Sequence, residues 1–198
     1  MSSKMVTGVE AGADRLYSVV MWLDKLDLKP AAEHLDWLAP STAAAIGLIP
    51  EALVFTIDPA DADTATLTAK LDLPLAASGN AVLVTGFRQG EARHCCCMTP
   101  ADRRVDVNHA VKQRLDVRKC SFASMDEAVS VSGMEYGGIT PIGLPPDWPI
   151  WLDEHISELD WVLIGSGIRS SKLVVPGNSL LRLPGAQLVE SLTIPAET

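Results

Sequence analysis

What this sequence lacks narrows it before any motif is considered. No stretch approaches the ~18 consecutive apolar residues that a bilayer-spanning helix needs. The opening MSSKMVTGVEAGAD has no apolar h-region, so no secretory signal is read there. Positive charge is scarce: 16 Lys and Arg stand against 25 Asp and Glu, a net charge of −9. That balance argues against a general polyanion binder, because phosphate contacts need Lys and Arg. Cysteine is limited to four residues, without C-x-x-C spacing. Cys95, Cys96 and Cys97 are adjacent, too constrained to pair with one another and poorly placed to supply tetrahedral metal ligands. On a strand Cys95 and Cys97 face one way and Cys96 the other. The expectation is packing as small hydrophobes, with metal or redox chemistry as the alternative.

Several catalytic signatures are missing too. There is no P-loop and no dinucleotide-binding G-x-G-x-x-G after a strand. Gly165, Ser166 and Gly167 fall short of a nucleophile elbow, since G-x-S-x-G would need glycine where Ile164 and Ile168 stand. His155-x-x-Glu158, set among Asp153, Glu154 and Asp160, has a loose metal-pair spacing but reads more simply as a solvated acidic turn. Together these absences lead to the expectation of a soluble, cytoplasmic protein with no cofactor and no metal.

What is present suits one domain. The chain has 198 residues, 47% hydrophobic and 21% charged, enough for a sizeable core. The expected division is a helical N-terminal extension over residues 1–50 and a core over residues 51–192. Apolar spacing predicts an amphipathic helix over residues 11–28 and a second helical stretch over 31–38, stopped by Pro40. Trp22 and Trp37 are read as packing residues. Strands are expected at 52–57, 81–85, 91–98, 119–122, 148–152, 161–164, 172–175 and 187–192. Between them, Asp63 or Thr64, Asp106 and Ser124 are expected to cap helices, Ser124 with Glu127 as a capping box. The cations are unevenly spread: residues 88–119 carry 8 of the 16 and only 4 acidic residues. That segment is either a solvated face or a patch for the end of a nucleic acid.

The chain is organised around residues 132–145, SGMEYGGITPIGLP. Glycine lets another backbone or a ligand come close, while each proline fixes φ and holds the residue before it, here Thr140 before Pro141, extended. This is a shaped loop with bare amide groups, either a tight connection or a ligand loop.

The same run resembles the signature loop of the YbaK family, single-domain relatives of the editing domain inserted in bacterial prolyl-tRNA synthetases. The pattern Gly-x-x-x-Gly-Gly-x-x-Pro-x-Gly stands here as Gly133, Gly137, Gly138, Pro141 and Gly143. Two further blocks follow the family's order, ADRRVD at 101–106 and IGSGIRSSKL at 164–173. The resemblance implies an α/β (α+β) fold: a single-domain mixed, partly barrel-like β-sheet flanked by helices. It also implies hydrolysis of the ester joining a mischarged amino acid to a tRNA. The partner is then the aminoacyl-tRNA 3′ end, with no DNA and no membrane.

Ester hydrolysis needs a water nucleophile and donors aimed at the oxyanion that forms. Asn80 and Gly138 are accordingly the catalytic candidates, Asn80 orienting water or holding the amine through its amide and Gly138 through its backbone. Substrate binding is assigned to Gly79, Tyr136, Gly137, Ile139, Thr140, Pro141 and Gly143, with Gly165, Ser166, Gly167 and Arg169 from the second glycine turn. Tyr136 shapes the pocket, stacks on the terminal adenosine, or packs in the core. Arg169 and Lys172 approach phosphate or remain exposed charges. One departure stands out: relatives carry a Lys-Asn or Lys-Thr pair where this chain reads Ser78, Gly79, Asn80, Ala81, Val82, so Gly79 takes the lysine's place. Two functions stay open, a trans-editing deacylase and a catalytically silent binder of tRNA or an aminoacyl ligand.

Overall fold

Period-two alternation along the strands sorts the side chains of this molecule into layers. The computed structural model describes residues 22–196. After β1 (Lys29–Pro30) come two 3-10 turns, Ala31–Glu33 and Leu35–Trp37, and helix α1 (Pro40–Ala45). Next are β2 (Leu53–Thr56) and helix α2 (Thr64–Leu71), whose cap Asp63 accepts the Thr66 N–H. β3 (Gly79–Arg88) and β4 (Glu91–Pro100) form a hairpin on Gln89 and Gly90, both at the positive φ that a two-residue turn of this kind requires. β5 (Arg103–Val105), a π-helical turn (Val107–Val111) running into α3 (Lys112–Arg114), β6 (Lys119–Phe122) and helix α4 (Met125–Ser132) lead to the glycine loop. Beyond it lie β7 (Ile150–Asp153), α5 (Glu154–Ser157), β8 (Val162–Gly165), β9 (Ser171–Val175), a 3-10 helix (Gly177–Arg182), β10 (Ala186–Val189) and β11 (Thr193–Pro195).

One sheet has the order β1-β2-β9-β8 and is antiparallel throughout. The other has the order β10-β7-β4-β3-β6, parallel where β7 meets β10 and β4, antiparallel elsewhere. Leu83, Cys96, Met98 and Leu152 from the five-stranded sheet meet Val54, Val162, Ile164 and Leu173 from the four-stranded one in a central core. Residues one position along turn outward: Val84, Cys95 and Cys97 pack with Val105, Val111 and Val117, while Phe55, Leu163 and Val174 pack with Trp22 and Leu67. Full burial of each such side chain contributes roughly 1.5–3 kcal/mol, so these layers dominate stability. A parallel bridge from Ser78 to Leu163 joins the two sheets at the entrance to β3.

The fold is the expected mixed α/β single domain, but its sheets stay open and do not close into a barrel. Most of the helix expected over residues 11–28 lies outside the described residues; Trp22 is buried, as a packing residue should be. Pro40 begins a helix instead of stopping one, because its fixed φ and missing N–H suit the first helical position. Residues 31–38 form 3-10 turns, too short for the helix expected. Ser124 caps α4, yet Glu127 does not complete the box: it accepts a hydrogen bond from Thr85 Oγ1 at 2.7 Å. The expected last strand, 187–192, is cut at Val189, and a separate β11 pairs with β5. The acidic turn is not solvated throughout. Asp153 is 1% exposed, accepting from Thr193 Oγ1 at 2.7 Å and contacting His155 Nδ1 at 2.7 Å.

Candidate functional site

The two glycine turns are locked backbone to backbone. A Cβ built on Gly165 would lie 2.2 Å from the Gly138 carbonyl oxygen and 2.3 Å from that of Ile139; one on Gly138 would lie 2.3 Å from the Ile168 oxygen. The N–H of Gly167 donates to the Gly138 carbonyl at 2.7 Å, and that of Glu135 donates to the Gly167 carbonyl at 2.9 Å. Any side chain at Gly138 or Gly165 would force the turns apart.

Beside this contact, where β3 starts near the end of β8, lies a cleft of about 270 Å³. Ala62, Asp63 and Thr64 before and within α2 form one wall, residues 79–82 of β3 a second, and Tyr136, Gly137 and Ile139 a third, with Gly165 and Lys172 completing it. The volume sits near the lower end of small-ligand sites, which run from roughly 300 Å³ upward, so it suits an acyl group better than a nucleotide.

The polar groups here are few and fixed. Thr64 Oγ1 donates to Asn80 Oδ1 at 2.8 Å, orienting the amide and leaving its Nδ2 without a partner among the described residues. The N–H groups of Gly137 and Ile139 likewise find no acceptor among the described residues. Lys172 is 4% exposed, and its Nζ donates to the carbonyls of Ala62 at 2.7 Å and Gly137 at 3.1 Å. Burial lowers its pKa to about 8; the nearby Asp63 charge opposes that shift and Arg169 adds to it.

The residues proposed from sequence divide into those at the cleft and those behind it. Asn80, Gly79, Tyr136, Gly137, Ile139 and Gly165 line the cleft. Tyr136 is half-exposed and so is not a core residue. Gly138 is behind the wall. Its N–H donates to the Glu135 carbonyl at 2.9 Å and its carbonyl accepts from the Gly167 N–H, so the backbone groups expected of it at the site are already engaged with protein. Thr140 and Pro141 are buried, and Gly143 packs against Ser41, where a Cβ would lie 2.4 Å from the Ser41 carbonyl carbon; these three shape the loop from within the body. Ser166 is fully buried and donates to the Ser171 carbonyl at 2.9 Å, while Gly167 packs on Ala39. Arg169 spends its guanidinium on the carbonyls of Tyr136 at 2.9 Å and Pro59 at 2.7 Å, bracing the loop.

Gly79 does not behave as the place of a missing lysine. A Cβ there would meet Val162, Ile156 and Ile164 at 3.1–3.3 Å, inside the central core, so on β3 it is Asn80 that faces the cleft. Lys172, expected to approach phosphate or remain exposed, is buried and lines the cleft. The available signal was a lone charge within an otherwise apolar β9, SKLVV. Thr64 and Val82 at the cleft were not anticipated.

Among comparisons with known proteins, a family model described as the aminoacyl-tRNA editing domain matches residues 58–183. No curated protein matches the sequence. A solved structure of the hypothetical protein APE2540 superposes with a TM-score of 0.63 at 19% identity, covering 71% of this chain and 90% of that one. A candidate trans-editing enzyme for prolyl-tRNA synthetase gives 0.63 at 18% identity, covering 77% and 97%. A candidate signal transduction protein from Marinobacter aquaeolei VT8 gives 0.51 at 18% identity, covering 78% of this chain and 30% of that one. At these identities the structural likeness speaks to fold alone.

Proposed function

The chain belongs to the aminoacyl-tRNA editing domain family, and from that premise we propose that it is a YbaK-like deacylase that hydrolyses, in trans, the ester of a mischarged aminoacyl-tRNA. We take residues 51–192 as the editing unit and residues 1–50 as its extension, from which Ala39 braces the second glycine turn. The observation that supports the reading is a single acyl-sized cleft lined by Asn80, Gly137 and Ile139, whose Asn80 Nδ2 and two backbone N–H groups have no partner among the described residues.

In this reading water adds its oxygen to the acyl carbon and the carbonyl π pair moves onto oxygen. The N–H groups of Gly137 and Ile139 take the donor role first assigned to Gly138. Collapse breaks the bond to the ribose oxygen, which leaves with a proton originating from the attacking water. The products are the free amino acid and the tRNA 3′ hydroxyl, with the vicinal ribose hydroxyl assisting the transfer. Asn80 Nδ2 positions the water or the substrate, and Tyr136 at the rim stacks on the terminal adenosine.

Incubation with a panel of mischarged tRNAs tests this. The native protein is expected to release at least one amino acid, and Asn80→Ala to lower that rate on the order of a hundredfold. The same variant leaves only Thr64 without its partner, a loss of about 1 kcal/mol in stability. Turnover unchanged in Asn80→Ala removes Asn80 from the site. Tight tRNA binding with no turnover leaves a silent binder on the same scaffold.

A further inference from the structure

Lysine is rarely buried, and when it is, a carboxylate usually accompanies it. Lys172 departs from that pattern. It extends from the outer face of β9, opposite Phe55 of β2 and Gly165 of β8, into the cleft. Among the described residues no carboxylate lies within ion-pair distance of its Nζ, whose partners are the two carbonyls of Ala62 and Gly137. An ammonium has three N–H donors. Two are thus committed, and they tie the wall before α2 to the glycine loop; the third is unspent at a cavity lined also by Asn80, Gly137 and Ile139. A desolvated cation with one free donor is costly unless a ligand atom completes it.

We infer that the Lys172 ammonium is a catalytic donor of this site, giving its third N–H to the carbonyl oxygen of the bound ester and stabilising the oxyanion formed when water attacks. The inference rests on the deacylase reading above. Lys172 keeps its proton throughout, so the atom balance of the hydrolysis is unchanged. A hydrogen bond from a full positive charge in a desolvated cleft is stronger than one from a backbone amide. Of the groups that face it, Asp63 at the α2 cap favours the charged form, Arg169 disfavours it, and Tyr136 lines the same cleft. Since its pKa is lowered to about 8, the donor is mostly protonated at neutral pH and is lost as pH rises through that value.

The test is the rate of ester hydrolysis between pH 6 and 10, corrected for the uncatalysed reaction, in the native protein and in K172M, K172R and D63N. The native rate is expected to fall on an alkaline limb near pH 8. K172M should lower kcat on the order of a hundredfold with a smaller change in KM. K172R should retain part of the rate and lose the limb, because guanidinium stays charged. D63N preserves a capping side chain and removes the charge that favours the ammonium, so its limb should move to lower pH. A K172M rate within threefold of native overturns the inference, as does a limb that neither K172R nor D63N moves. If K172M does not fold, the native limb and its displacement in D63N decide the matter. Native protein with no turnover sinks the deacylase reading and this inference together, whereas turnover surviving in K172M sinks the inference alone.

Discussion

At Gly165 an added methyl group has nowhere to go. Its Cβ would stand 2.2 Å from one carbonyl oxygen and 2.3 Å from the next, both backbone atoms of the glycine loop, so no side chain can swing aside to relieve it. Gly165→Ala therefore has to push the two turns apart. The expected cost is about 1–3 kcal/mol, a fall in Tm of roughly 3–10 °C for a domain of this size. Gly47→Ala is the control, since nothing lies within 4 Å of a Cβ there; differential scanning calorimetry should separate the two. A Gly165→Ala Tm equal to that of the control means the turns are not locked as described. Residue-level reading of the sequence puts Asn80 and Gly137 beside the cleft they line, where the reason is local. It fails at Gly138, where which backbone group is already spent depends on Glu135 and Gly167 together. It fails at Lys172 as well, whose acceptors lie 110 and 35 residues away in the chain.

Strands were more legible than helices because period two is a short-range signal that side-chain type reports directly. β4 illustrates this. Cys95 and Cys97 lie in one hydrophobic cluster and Cys96 in another, all three with no exposed surface, as alternation on a strand requires. Burial raises the Cys96 thiol, and a hydrogen bond shared with Cys95 that keeps the proton on Cys97, together with burial, raises Cys97. Thiolate is the reactive form, so these positions should be inert. Cys120 on β6 is only partly covered, although burial pushes its pKa up as well. In native protein at pH 8, iodoacetamide followed by mass spectrometry should label Cys120 slowly. Cys95, Cys96 and Cys97 should react only after unfolding. Stoichiometric labelling of any of these three in the folded state contradicts the assignment of β4 to the interior. The helical segments were harder to read: the 3-10 turns before α1 are too short to show a period, and the boundary at Pro40 turns on whether a proline closes one element or opens the next.

For the whole molecule, the proposed function raises the question of how a chain of net charge −9 would approach a polyanion. Long-range attraction has to come from the segment that carries half of the cations. Six of its eight cations lie at the far end of the β3–β4 hairpin, along α3 and at β6, with Arg88, Lys112, Arg114, Arg118 and Lys119 all exposed, while Arg103 and Arg104 lie on β5. Arg88 and Arg93 both engage Asp116, which discounts part of that charge. Lys112, Arg114, Arg118 and Lys119 make no ion pair with a described residue and are the cations available to phosphate. Asn80 is the second residue of the same β3 strand whose far end meets Lys119, through the pairing of Phe87 with Lys119. Seven residue steps at about 3.3 Å set the patch roughly 23 Å from the cleft, a distance that an acceptor stem can span while its 3′ end enters the site. Each phosphate neutralised contributes about 0.7–0.9 to the slope of log affinity against log salt. Charge reversal at Arg118 and Lys119 together should lower that slope by about 1.5 and weaken tRNA binding, measured by fluorescence anisotropy between 50 and 300 mM salt. Hydrolysis of a minimal aminoacyl-adenosine ester should be spared, because neither residue lines the cleft. A slope indifferent to both reversals would place the tRNA on another face, and equal losses on tRNA and on the minimal ester would show damage to the fold instead of to docking.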